Sequence, residues 1–133
     1  MLFRSGSYSH AEGSNTYAYA NYSHAEGLNT YTGLDINTNQ RINAENSHVE
    51  GINNSTAAPN SHAEGGGNVA GYSPDGVSYY GQFSHAEGTA TQTFAYGAHS
   101  EGYNTKAGVV VGGTEYGYYS HRSEEHTSEL QSH

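Results

Sequence analysis

The chain has 133 residues, no cysteine, and 13 acidic against 4 basic residues, a formal charge of −9. The length bounds it to one domain, and the absence of thiols excludes disulfide staples and thiolate metal sites. The acidic balance argues against nucleic acid or an anionic membrane surface as a partner. Only 16 residues are Leu, Ile, Val or Phe, too few for a thick core, and no apolar run approaches the roughly 18 residues of a membrane span.

Self-similarity supplies what the composition lacks. The word SHAEG opens at Ser9, Ser23, Ser47 (with Val49 for Ala), Ser61 and Ser84, returns as Ala98-His99-Ser100-Glu101-Gly102, and opens again at Ser120-His121. Gaps between the histidines run 14, 24, 14, 23, 14 and 22 residues. A short fixed period marks a stacked-repeat architecture, whose units bury a shared face against each other rather than a core of their own.

In the first repeat, residues 9–22, two stretches alternate with period two. Ser9, Ala11 and Gly13 point one way and His10 and Glu12 the other; then Thr16, Ala18 and Ala20 oppose Tyr17 and Tyr19. Such alternation predicts two short strands with one buried face each. Gly13-Ser14-Asn15 and Asn21-Tyr22 supply the corners. The expected fold class is all-β, a parallel β-solenoid of 14-residue coils, thin enough that its interior admits only Ala, Ser, Thr and Gly. Later repeats fit more loosely: Asn54 stands where Thr is expected, and Pro59, lacking an N–H for a ladder, belongs at a corner.

The long gaps add residues at one place, after the second motif of each pair: 34–42 (LDINTNQRI), 72–80 (YSPDGVSYY) and 109–117 (VVVGGTEYG). Each flanks a turn signal with β-favouring residues, which predicts a β-hairpin in every second coil. Variable insertions on one face of a repeat array are often its binding face, and bracing of the stack is the equal alternative. Asp35, Asn37, Arg41, Asp75, Tyr79, Tyr80, Glu115 and Tyr116 are the candidate ligand-binding residues of these hairpins.

Residues 122–133 (RSEEHTSELQSH) resemble the in-frame translation of a sequencing adapter and are expected not to belong to the natural array, which then occupies 1–121 as one repeat domain. Without them the formal charge is −7. Arg4-Ser5-Gly6 reads as the close of an earlier repeat, so the array is expected to extend upstream.

A single His-x-Glu on a strand would suggest a metal ligand beside a general base. Here it recurs six times: His10 and Glu12, His24 and Glu26, His48 and Glu50, His62 and Glu64, His85 and Glu87, His99 and Glu101. Catalytic sites are not repeated along a scaffold, so the expectation is a structural ladder in which each His donates to a Glu, with no catalytic, metal or cofactor site and with thermal stability that changes between about pH 5 and 7. Of the 13 tyrosines, Tyr17, Tyr19, Tyr31 and Tyr96 are expected to stack on the outside of the coils. A polysaccharide-degrading β-helix enzyme is the rival class, and it would need acids or bases converging in a groove; Asp35 and Asp75 lie in different hairpins.

On the Ser-x-Ala-x-Gly words and the 14-residue coils, residues 7–121 resemble the head repeats of trimeric autotransporter adhesins, the YadA-like head, and are similar to SHAEG arrays of phage and prophage tail fibres. The resemblance implies a left-handed parallel β-roll, a homotrimer, display on a bacterial cell surface or a virion, attachment to a host-surface protein or glycan, no cofactor, and no membrane insertion by this segment. The inserted hairpins and Tyr-rich outer face depart from that pattern. Neighbouring coding sequence, a membrane-anchor barrel or tail genes, would separate adhesin from fibre.

Overall fold

The computed structural model describes residues 2–123; of the expectation for the tail, 124–133 lie outside the described residues. All regular structure among the described residues is β. The chain shuttles between two sheets of seven parallel strands each. One holds the motif strands His10–Ser14, His24–Leu28, His48–Val49, His62–Gly66, His85–Thr89, His99–Glu101 and His121–Ser123; the other holds Leu2–Arg4, Thr16–Ala18, Tyr31–Thr32, Ser55–Thr56, Val69–Ala70, Gln92–Thr93 and Lys106–Ala107. This is the arrangement of a β-solenoid, two short strands to a coil. The last motif strand continues through Arg122 and Ser123, which pair with Ser100 and Glu101.

Register is set by the words. His10, Ala11, Glu12 and Gly13 pair with His24, Ala25, Glu26 and Gly27, and His62 through Gly65 pair with His85 through Gly88 across a long gap. The extra residues are absorbed by three antiparallel excursions: Leu34–Asp35 on Gln40–Arg41, a bridge from Tyr72 to Tyr80, and Val109–Val111 on Thr114–Tyr116. Each leaves the coil directly after a strand of the second sheet.

Corners rest on left-handed backbone. The residue before each motif serine (Tyr8, Tyr22, Asn46, Asn60, Phe83, Tyr119) has φ between 54° and 59°, and so do Asn15, Asn29, Asn53, Ala90 and Asn104 at the opposite corner. At these points the amide turns back to the preceding coil, as in Tyr22 N–H to Ser7 O (2.8 Å) and Asn53 N–H to Leu28 O (2.9 Å). Strand amides point forward to the next coil, as in His10 N–H to Ser23 O (2.9 Å). Every coil is thereby bonded in both directions, which satisfies the backbone of a fold with almost no apolar mass.

The interior is narrow and polar. Its larger apolar cluster is Ala11, Ala18, Ala25, Val49, Ala63, Ala70 and Ala86. Motif serines reach across to the second sheet where it offers Thr: Ser23 to Thr32 (2.7 Å), Ser47 to Thr56 (2.9 Å) and Ser84 to Thr93 (2.6 Å). Where Ala stands there instead, the hydroxyl donates to a carbonyl, as Ser61 does to Ala58 O (2.6 Å). Asn54 proves no misfit: it is fully buried, its amide group donates to Gly65 O (2.8 Å), and its carbonyl accepts from Asn68 N–H (2.7 Å).

Candidate functional site

Two surfaces gather the residues singled out in the sequence. On the motif sheet the alternation turns His and Glu outward while Ala is buried between them. The six imidazole pairs from His10 to His121 stack with centroids 4.7–5.0 Å apart, nearly parallel from His24 onward (1–10°), with His10 on His24 edge-on at 76°. Each Nε2 from His24 on faces a carboxylate of the preceding coil. His85, His99 and His121 are hydrogen-bonded to Glu64, Glu87 and Glu101 at 2.8–2.9 Å. His24, His48 and His62 stand 3.6–3.7 Å from Glu12, Glu26 and Glu50, beyond a hydrogen bond. The bond from His121 holds the Glu101 carboxyl below the usual carboxylate range.

The second surface is the hairpin row. Of its eight candidate residues, three hold the framework. Asp35 is fully buried: Oδ1 accepts the N–H of Asn37 (3.0 Å) and Thr38 (3.4 Å), Oδ2 that of Ser73 (2.8 Å) in the second hairpin, and burial raises its pKa. This corrects its candidacy as a ligand residue, since no part of the carboxylate faces solvent. Asn37 donates to Gln92 Oε1 (2.8 Å), and Glu115 accepts the Gly81 N–H at the base of the second hairpin (2.5 Å). Arg41 is exposed and lays its guanidinium 3.7 Å over the Tyr19 ring. Asp75 folds back on its own turn, accepting the N–H groups of Ser78 and Val77, which lower its pKa. Tyr80 pairs with Tyr72 (6.1 Å), leaving Tyr79 and Tyr116 as the exposed aromatics of the set. Of the coil tyrosines, Tyr17 stacks on Tyr31 at 5.2 Å and on Tyr19 at 5.5 Å, whereas Tyr96 meets Phe83 tilted by 53° at 5.2 Å rather than stacked.

Sequence reading missed two features here. A cleft of about 280 Å³ opens between the second and third hairpins, lined by Tyr72, Phe94, Lys106, Gly108, Val109 and Val110. Its walls come from coil and hairpin together, so no single motif announces it. The other is the run of exposed aromatics Tyr8, Tyr22, Phe83 and Tyr119 at one corner; their shared place just before the motif serine was the available signal. Comparison of the chain with protein-family models, curated proteins and solved structures finds no match.

Proposed function

We propose that this chain is a non-enzymatic structural and adhesive segment of a trimeric bacterial adhesin head, a left-handed β-roll displayed on the cell surface that attaches to a host protein or glycan. The observation that carries the reading is the in-register stacking of identical His-Ala-Glu-Gly strands, interrupted on one corner by three hairpins whose sequences differ. A constant ladder serves extension; a variable row serves recognition. Tyr79 and Tyr116 on the row, and Tyr72, Phe94 and Lys106 in the cleft beside it, offer the apolar faces and polar tips suited to a sugar or a protein loop. The test is a glycan array probed with the intact chain and with a variant whose three hairpins are replaced by two-residue turns. Binding that disappears with the hairpins supports the reading; binding unchanged by their removal, or none by the intact chain, reduces the segment to a spacer.

A further inference from the structure

The ladder changes character along its length. Toward the C-terminus its imidazoles are hydrogen-bonded to carboxylates, but Nε2 of His24, His48 and His62 is buried with no hydrogen-bond partner. His10 Nε2 lies 3.4 Å from Glu12 Oε2, His24 Nε2 3.7 Å from Glu12 Oε1, and His48 Nε2 3.6 Å from Glu26 Oε1 and 4.0 Å from Glu50 Oε2. These separations suit two ligands of one ion: bonds of about 2.0–2.1 Å meeting at a tetrahedral angle leave their N and O atoms roughly 3.4 Å apart. The donor atoms of His10, Glu12 and His24 lie within 4.8 Å of one another, and so do those of Glu26, His48 and Glu50; three sets farther along, from His62 to His121, meet the same limit, but there the imidazoles of His85, His99 and His121 are already hydrogen-bonded to carboxylates. The two sets share no residue, and each spans two successive coils.

Charge points the same way. Glu12, Glu26 and Glu50 belong to paired strands about 4.8 Å apart, where stacked carboxylates repel, and a divalent cation held between coils offsets that repulsion. A groove lined by Glu12, Glu26, Glu50 and Glu64 runs along the same edge and gives an ion a path in. Mixed imidazole and carboxylate donors select zinc, nickel or copper over magnesium or calcium, which prefer all-oxygen sets.

We propose that the N-terminal half of the ladder binds two divalent transition-metal ions per chain, one at His10, Glu12 and His24 and one at Glu26, His48 and Glu50. Each ion takes ligands from two successive coils and so ties them together, and three protein ligands leave it a position open to water.

The test is calorimetric titration of the tag-free, EDTA-stripped chain with zinc chloride at about pH 7.5, where imidazole is available as a ligand, with magnesium chloride as control. Expected are two equivalents of zinc, no heat from magnesium, and a higher melting temperature with zinc. The double variant His24→Gln with His48→Gln should weaken binding by at least about tenfold, while His85→Gln with His99→Gln keeps both equivalents. Should the first variant lose its β circular-dichroism signal, Glu12→Gln with Glu50→Gln takes its place, since it removes one ligand from each set while lowering the repulsion. The proposal is overturned by a wild-type chain that shows no saturable zinc binding, by folded variants of the first ladder half that bind unchanged, or by loss of both equivalents in the His85 and His99 variant.

Discussion

Asp35 shows how much of this fold rests on single polar groups. Three backbone N–H groups, two in its own hairpin and one in the next, share its carboxylate inside a fully buried site. Asp35→Ala leaves them without an acceptor and should cost about 2 kcal/mol or more in urea unfolding. Burial raises the Asp35 pKa above its unfolded value. The folded state therefore holds this proton more tightly, and the contribution to stability falls as pH rises from the ordinary carboxylate range near about 4. The penalty for Asp35→Ala should accordingly be larger at about pH 4 than at about pH 7; an equal or smaller penalty at the lower pH would contradict this assignment. A second residue-scale prediction concerns the motif glycine. At Gly65, with φ 105°, an added Cβ would lie 2.2 Å from the Gly88 carbonyl oxygen, whereas at Gly112, with φ 60°, nothing lies within 4 Å. Gly65→Ala should unfold the chain or cost several kcal/mol, and Gly112→Ala about 1 kcal/mol, the price of left-handed backbone alone.

At the scale of elements, the strands and hairpins were legible because period two and the uneven histidine spacing are backbone facts written directly in the residues. What Ala25 or Thr32 faces follows from alternation. The inner column through Thr30, Asn54, Asn68 and Thr91 was not legible: asparagine in a strand reads as a poor strand former until its carboxamide is seen bonding across coils. Asn68 donates to Gly88 O (2.9 Å) and accepts from the N–H and hydroxyl of Thr91 (2.8 and 2.9 Å). Asn68→Ala should lower stability by about 2–3 kcal/mol, more than Asn37→Ala on the exposed hairpin, and thermal unfolding of the two variants compares them. Burial of Asp35 was equally hidden, since its partner Ser73 lies 38 residues away in a hairpin just as polar. Tyr8 and Phe83 escaped notice as corner residues, and only Tyr22 was read as one, because left-handed backbone is the habit of Gly and Asn, not of aromatics. The ladder itself was legible as to its faces, but its division into bonded and unbonded halves depends on distances that no repeat unit records.

For the whole molecule, one edge remains uncovered. Ser14, Leu28, Ile52, Gly66, Thr89 and Tyr103 align across the ends of the motif strands, and Leu28, Ile52 and Tyr103 are 41%, 50% and 61% exposed. If three copies pack along this edge, Ile52→Glu should shift the sedimentation coefficient from trimer toward monomer without loss of the β spectrum; a wild-type chain that sediments as a monomer would count against the trimer itself. The hairpins add something the ladder lacks. Thr38 donates to Ser73 O (2.6 Å) and Glu115 accepts from Gly81, so each hairpin clasps the next over the coils between. Under tension along the stack, backbone bonds alone would open like a zipper, one coil at a time. A clasped coil holds until its bond to the next hairpin breaks, and the unit of rupture becomes the pair between clasps, 38 residues from His24 to His62. Single-molecule pulling should then release chain in steps of about 130 Å, with alternating steps of about 50 and 80 Å returning once the clasp is removed: a fibre that yields in large increments and dissipates load rather than unravelling.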